Sequence, residues 1–482
     1  MGRLWLRRKL RYRSGLLHSW CMRTITPAVS LVDQVVGKQK RTEGQTYRLM
    51  TYVIQRPVED GVLLYHTLTC SMVLLSQEEY AQLSHQQELI EQWFLVPENH
   101  DDRKLCQQIR QMAQLFKPSA KTIKGYTILT TTGCNARCFY CYEKGTTPVT
   151  MTAETADKVV RYILAHRGDE KVSLSWFGGE PLYNVQVIDQ ICSALKAQEV
   201  PFKSKMISNG YLFDAETVQR AKELWQLKNV QITLDGREKT YNLIKRYIYD
   251  NVNAFERVLN NIELLTAAGI HVQVRLNVDK HNIEEMLLLL PLLHERFGDN
   301  KHLSVYSHEL FGERSPEDNA ALYEQRMQLE QLIAECGYKQ NRRLQKDLKL
   351  THCMADNDNS VIISPAGYLG KCEHYIDREF FGHIDSDEKD AATLRRFKER
   401  PEEMEACVTC PFYPQCFRLV MCENEVVCTP ERQKENIHNI VEAMKDEYKK
   451  YLKRLDNEND NENENDNEND NGNENEEDET EL

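Results

Sequence analysis

A chain of 482 residues can form two or three domains with separate cores, which excludes a single small module. Its formal net charge of -13 comes almost wholly from the far end, where residues 456–482 carry 14 acidic side chains and no Lys or Arg. The rest is close to neutral, so bulk charge gives no case for nucleic acid as a partner, and no run of about 18 apolar residues marks a membrane span.

In chain order, residues 1–40 form a basic amino-terminal extension. Its opening "MGRLWLRRKLRYRSGLLHSWCM" is rich in Arg and lacks acids, like a transit peptide, but has no uninterrupted apolar core and no small-residue cleavage pattern. The simpler reading is a mis-called start, with translation beginning at Met22 or later, and the first 30 or so residues are expected to lie outside the fold. Residues 41–118 form a small α+β module. "YRLMTYVIQR" and "GVLLYHTLTCSMVLLS" alternate like paired strands, and "QEEYAQLSHQQELIEQWFLVPENHDD" reads as helices ending in an edge at "FLVPE". A sheet with an exposed edge can capture an extended peptide as an added strand; equally, the module can be a packing extension that closes a barrel.

Residues 119–335 have a βα rhythm. "GYTILTTTGC", "KVSLSWFGGEP", "SKMISNGYL", "NVQITLDG", "HVQVRLNVD" and "HLSVYSHEL" are short β-rich runs, and helical patterns cover Thr152 to His166, Val185 to Gln198, Ala215 to Leu227 and Ala254 to Ala268. Six such units imply parallel strands, in a barrel or an open doubly wound sheet. Either architecture gathers ligands at the carboxyl ends of the strands. Cys134, Gly178 to Glu180, Asn209, Asp235 and Asn277 all follow their strands and are expected to converge on one rim.

The first of these runs opens into "TGCNARCFYCYEKG", with Cys134, Cys138 and Cys141 in one short loop. Without a secretory signal, clustered cysteines indicate metal or redox chemistry in a cytoplasmic chain rather than disulfides. Three thiolates can hold three irons of a [4Fe–4S] cluster and leave the fourth open to a substrate or cofactor. Structural zinc is the alternative, but it favours four closed ligands in paired spacings, and no His lies within the loop.

Residues 336–440 carry seven more clustered cysteines besides Cys336. Cys353, Gly367 and Cys372 read C-x13-G-x4-C, Cys407, Cys410 and Cys416 read C-x2-C-x5-C, and Cys422 and Cys428 follow. "CVTCPFYPQC" also passes as half of a zinc ribbon. The remaining Cys21, Cys70, Cys106, Cys192 and Cys336 stand singly, as small core residues do. A terminal helix is expected over residues 441–455. Residues 456–482, with no apolar side chain before Leu482, are expected to be disordered.

"CNARCFYC" resembles the cluster loop of the radical S-adenosylmethionine (SAM) superfamily, including the aromatic Tyr140 before the third cysteine. The resemblance implies a partial (β/α)6 TIM-type barrel, with SAM chelated at the open iron and cleaved to a 5′-deoxyadenosyl radical. "WFGGEPL" is similar to the family's glycine-rich second strand, which implies that Gly178 and Gly179 approach the methionine amino group and that Glu180 assists. "ISNG" implies Asn209 for the ribose. In "ITLDG", Thr233 replaces the usual Ser as a donor to the methionine carboxylate. The Arg that relatives place about ten residues later falls here on Lys245, with Arg246 beside it, and the choice between them is open.

The second cysteine group resembles the SPASM extension. That implies one auxiliary [4Fe–4S] cluster on Cys407, Cys410, Cys416 and Cys428, and another on Cys353, Cys372 and Cys422, one thiolate short of four. Glu373 stands where sulfatase-oxidising relatives carry an Asp and is the candidate catalytic base, with His374 next to it. The module at 41–118 looks like that of peptide-maturing SPASM enzymes. The expected function is therefore maturation of a ribosomally made precursor peptide, with flavodoxin or ferredoxin as electron donor. The alternatives are an anaerobic sulfatase-type maturase and a non-enzymatic iron–sulfur or zinc module.

Overall fold

The computed structural model describes residues 23–26 and 36–470, apart from residues 117–119, 121, 146, 251–252, 311–314, 339–341, 349, 352, 376 and 423–427. At the amino end come β1 (Arg23–Thr26), β2 (Tyr47–Leu49), β3 (Val53–Val58), β4 (Gly61–His66), β5 (Met72–Leu75), α1 (Gln77–Ala81), α2 (Gln87–Glu91), β6 (Leu95–Pro97) and α3 (Asp102–Phe116). Among the described residues, β1, β5, β4 and β3 form one antiparallel sheet in that order, and β2 pairs with β6. β1 corrects the expectation that the first 30 or so residues stand apart from the fold. Arg23 and Thr24 register against Leu74 and Val73, and Ile25 joins the apolar layer of Leu63, Met72 and Leu74. Four residues of strand are too short to stand out of a basic stretch. The rest of the Met1–Met22 extension lies outside the described residues.

The central part alternates as expected: β7 (Gly125–Thr131), α4 (Ala153–His166), β8 (Val172–Gly178), α5 (Val185–Ala197), β9 (Phe202–Ser208), α6 (Ala215–Glu223), β10 (Leu227–Leu234), α7 (Glu238–Lys245), α8 (Ala254–Ala267), β11 (His271–Val278), α9 (Ile283–Phe297), β12 (Leu303–Glu309) and α10 (Pro316–Glu335). β7 to β12 are all parallel and lie in consecutive order, as in a barrel wall; a doubly wound sheet would reverse its order part-way. The two-residue alternation sets the faces. Val272, Val274 and Leu276 enter the core shared with the helices, whereas Gln273, Arg275 and Asn277 occupy the opposite, inner face. α6 stops at Glu223, short of the expected Leu227, because Gln226 takes a left-handed φ of 50° and Leu227 already belongs to β10.

The sheet does not end at the boundary expected near residue 335. β13 (Ser360–Ile363) pairs in parallel with β7, and β14 (Tyr368–Gly370) and β15 (Phe380–His383) extend it antiparallel, giving nine strands among the described residues. Val361 and Ile363 enter the main core, while Ile362 meets Leu129 on the other face. α11 (Ala391–Arg396) follows, and then α12 (Pro430–Asp470). α12 is longer than the helix expected over 441–455. Thr429 caps it by accepting from Arg432 N at 3.2 Å, and its backbone carries into the acidic repeat expected to be disordered, once the preceding turns are nucleated by packing. Residues 471–482 lie outside the described residues.

The amino-terminal module packs on the cysteine-rich segment. Thr67 Oγ1 donates to Pro411 O at 2.6 Å, Gln415 Nε2 donates to Tyr65 Oη at 2.9 Å, and the Arg110 guanidinium donates to the carbonyls of Tyr413, Pro414 and Cys416. Ile440, Ala443, Met444 and Tyr448 of α12 cover the other face of the sheet, at the spacing of one helical stripe. The two ends of the chain thus hold one another. Met444→Ala, which empties a fully buried site in this layer, is expected to cost about 2–5 kcal/mol in denaturant unfolding.

Candidate active site

The loop after β7 is pinched shut at its base. Thr132 N donates to Val149 O at 2.9 Å, Val149 N donates to Thr132 Oγ1 at 2.8 Å, and Thr131 bridges to Thr150. Inside it, Asn135 is buried and ties the loop to its surroundings: its backbone carbonyl accepts from Ile248 N at 2.9 Å, and its Oδ1 from Asn209 Nδ2 at 2.7 Å. Cys134, Cys138 and Cys141 are all partly exposed. Burial pushes the Cys134 thiol up to about 12, and Glu180 and the neighbouring Cys138 and Cys141 thiols add to the effect.

β8 ends against this loop. Gly178 has a φ of 132°, and a Cβ there would lie 2.1 Å from Thr131 O; at Gly179 it would lie 2.5 Å from Gly133 O. The absent side chains let Gly179 N donate to Thr131 O and Glu180 N to Gly133 O, both at 3.0 Å. Glu180 is fully buried and accepts from Ser208 Oγ at 2.9 Å, Asn209 N at 2.8 Å and Leu182 N at 3.2 Å. It braces the ends of β8 and β9. Asn209 in turn reaches Asn135 and, at 3.8 Å, Cys134 Sγ.

The ends of β10 and β11 supply a buried ion pair. Lys245 Nζ, at the end of α7, lies 3.0 Å from Asp235 Oδ2 and donates to Thr233 Oγ1 at 2.6 Å and Tyr140 Oη at 3.1 Å. Tyr140 Oη donates to Asp235 Oδ1 at 2.8 Å, and Asn277 Nδ2 donates to both at 3.1 Å. Burial, the largest single influence, would lower the Lys245 ammonium, but the Asp235 carboxylate together with Tyr140, Cys138 and Tyr241 offsets it and holds the group well above the usual lysine range. Lys245 therefore points into the rim, whereas Arg246 caps α7 in a left-handed conformation and is exposed. Cys134, Gly178 to Glu180, Asn209, Asp235 and Asn277 meet at one rim, as the sequence implied.

The later cysteines fall into two groups. Cys407, Cys410, Cys416 and Cys428 line one cavity of about 220 Å³, together with Tyr413 and Phe417. Cys353, Cys372 and Cys422 lie close enough for Cys422 and Cys353 to raise the Cys372 thiol, although burial and Glu373 act more strongly. The two cysteine-bearing regions adjoin, because Tyr142 of the first loop stacks on His374 at 4.6 Å between centroids. Glu373 stands in this turn and is half-buried. Among the described residues no three His, Cys, Asp or Glu side chains are set to hold a single metal ion.

Residues 128–292 match the family model described as the radical SAM superfamily. These residues form a radical SAM domain. It is 27% identical over 198 residues to an AdoMet-dependent heme synthase of Methanosarcina barkeri, covering 40% of this chain and about half (54%) of that protein. It is 25% identical over 265 residues to a GTP 3',8-cyclase of Clostridium perfringens, covering 50% of this chain and 78% of the relative. The solved structure of anSMEcpe with bound AdoMet shares the fold, at a TM-score of 0.50 and 16% identity over 67% of this chain and 98% of that one. A non-enzymatic iron–sulfur or zinc module is thereby set aside.

A radical SAM enzyme uses a [4Fe–4S] cluster and SAM, and the rim fits both. It offers three thiols on one loop, and at Gly178 and Gly179 a strand end whose backbone lies directly against that loop. It also holds two buried polar atoms, Asn135 Nδ2 and Asn277 Oδ1, that find no partner among the described residues. The sequence reading missed Asn135, the Tyr142–His374 stack and Arg275. Only Arg275 had a signal, the polar alternation of "HVQVRLNVD". No helix of the described residues is long and apolar enough to cross a membrane.

Gly179→Ala is expected to displace the cysteine loop while the helices stay folded. Iron retained after anaerobic reconstitution and desalting should fall severalfold, with the far-ultraviolet circular dichroism of the parent.

Proposed function

We propose that this radical SAM enzyme is a peptide maturase. On a partial (β/α)6 barrel it modifies a ribosomally made precursor peptide, by a thioether cross-link or a related change, and a SPASM-type segment carries two auxiliary [4Fe–4S] clusters. What supports this reading is the gathering of seven further cysteines into two groups, one around a single cavity and the other against the first loop.

Cys134, Cys138 and Cys141 hold the first cluster, fed by a flavodoxin or ferredoxin. When bound, the cluster and SAM supply the 5′-deoxyadenosyl radical that takes hydrogen from substrate. Gly178 and Gly179, pressed against the cysteine loop, bring the backbone of β8 to the methionine end of SAM, and Glu180 keeps them in place through Ser208 and Asn209. Asn209 faces the ribose. Thr233 and Lys245 take the methionine carboxylate, with Asp235 and the Tyr140 hydroxyl orienting the ammonium. Cys407, Cys410, Cys416 and Cys428 close the outer cluster; Cys353, Cys372 and Cys422 hold the inner one.

A sulfatase-type oxidation of Cys or Ser to formylglycine is the second reading. Its support is Glu373, which lies beside Cys372 and within electrostatic reach of Tyr142 in the first loop. There Glu373 would accept the substrate proton, so Glu373→Gln should abolish oxidation of a sulfatase-derived Cys peptide while SAM cleavage continues.

Reconstituted protein with dithionite should convert SAM to 5′-deoxyadenosine, and Cys134→Ala, Cys138→Ala and Cys141→Ala should each abolish this. Undiminished cleavage in all three variants would overturn the assignment of the loop. Iron should approach about 12 per chain and drop by about four in Cys407→Ala/Cys410→Ala. A stoichiometric zinc signal in place of that iron would make the outer site structural.

A further inference from the structure

Among the described residues the inner face of the strands carries positive charge with no carboxylate paired to it, and the Asp235 charge reaches Arg275 from the rim without pairing with it. No Asp or Glu stands on that face of β7 to β12; Leu129 and Phe177 there turn to β13, Ile207 is half-buried, and the other apolar positions turn to the helices. Lys203 and Lys205 of β9 occupy it, because Phe202 and Met206 take the core side and Ser204 Oγ donates to Trp225 O. Among the described residues neither lysine has a carboxylate within ion-pair distance. At the rim, Asp235 is already matched by Lys245.

Arg275 stands at the centre of this face, registered between Thr233 of β10 and Tyr306 of β12. It is partly buried, and among the described residues no carboxylate lies within ion-pair distance of it. Among the described residues its Nε has no partner, and Nη2 meets His308 Nδ1 at 2.9 Å. That nitrogen also lies 2.6 Å from Glu309 O. One ring nitrogen cannot both donate to the carbonyl and accept from the guanidinium, so at least one of these contacts goes unsatisfied. Burial first, and the Arg275 charge second, push His308 down to about 4, so the imidazole is neutral and offers no repulsion of its own.

Withdrawing a guanidinium from water without an anion is costly, and the other buried arginine near this face is treated differently. Arg326 pairs with both Glu309 and Glu435. A cavity of about 530 Å³ opens next to this site, between β12, α10 and α12; Arg275 does not line it, but its inner-face neighbours Gln273, Ser304 and Tyr306 do.

Building on the maturase reading, we propose that the substrate brings the missing charge: a carboxylate of the peptide, from an acidic side chain or its free end, binds Arg275 on the inner face beneath the rim. Arg275 is thus a specificity-determining residue, selecting peptides with an acid close to the reacting residue.

The test uses the reconstituted holoenzyme with SAM bound and two probes, N-acetylglutamate amide and N-acetylglutamine amide, which differ only in charge. In the parent the glutamate probe should bind about tenfold more tightly, the return for one charge-assisted hydrogen-bond pair, by ligand-observed NMR titration. Arg275→Gln should erase that preference and Arg275→Lys should retain part of it. Equal affinities in the parent, or a preference that survives Arg275→Gln in folded protein, would overturn the proposal. So would a loss of SAM affinity in Arg275→Gln matching the loss of preference, because the carboxylate held would then be that of SAM. Failure of the parent to cleave SAM, by contrast, would strike at the maturase reading itself.

Discussion

The end of β8 passes closer to the first cysteine loop than any side chain permits, and the geometry of the rim follows from that approach. With Gly178 and Gly179 against Thr131 and Gly133, the backbone of β8 is hydrogen-bonded to the loop rather than separated from it. The turn then delivers Glu180 into a fully buried position, where it meets the amide of Asn209 and the hydroxyl of Ser208. Asn209 carries the constraint back to Asn135 in the loop. Three segments far apart in sequence are thereby fixed by one closed circuit of hydrogen bonds, and the thiols inherit their placement from it.

A second circuit, in which Asn277 and Tyr140 bond to Asp235 and Lys245 bonds to Asp235, Tyr140 and Thr233, joins the same loop to β10, β11 and α7. A buried ion pair of this kind adds little net stability, because the Coulomb attraction is largely spent on desolvation. Its consequence is positional: it sets the Tyr140 ring beside the third cysteine and turns Lys245 inward. Most apolar strand positions go to the helices, so the inner face is largely polar away from the Leu129–Ile362 contact and Ile207. Function and folding are thus divided between the two sides of one sheet.

The cysteine-rich segment has little core of its own, with Ala355, Tyr375, Phe397 and Leu419 as its small apolar cluster. It is held instead from outside, by the amino-terminal module through Thr67 and Arg110, by β13 continuing the central sheet, and by the stack of His374 on Tyr142. The amino-terminal module accordingly serves as a wall for this segment. One face of its sheet is covered by α12 and the other packs with Tyr413, Cys407 and Cys410. Groups bound by the thiols would add the stability that the segment's own side chains do not supply.

Much was legible in the sequence because it is local. Periods of two and 3.6 fixed the order of strands and helices, and the loop "CNARCFYC" with "WFGGEP", "ISNG" and "ITLDG" named the rim, since each sits at the end of its own strand. α6 was misread past Glu223 because "LWQL" keeps an apolar spacing that Gln226, in a left-handed conformation, breaks. β1 and the extra length of α12 escaped because each depends on the partner it packs against, Leu74 for one and the module's sheet for the other. The choice between Lys245 and Arg246 could not be made from adjacent basic residues; it was decided when α7 ended in a left-handed Arg246, which left one side chain inside and the other in solvent. What only the tertiary structure determined is which distant residues meet: Asn135 with Asn209, Tyr142 with His374, and Arg275 with no carboxylate. A sequence records which groups are available at each strand end, but the pairing of charges across strands depends on register and burial, and those exist only once the sheet has closed around them.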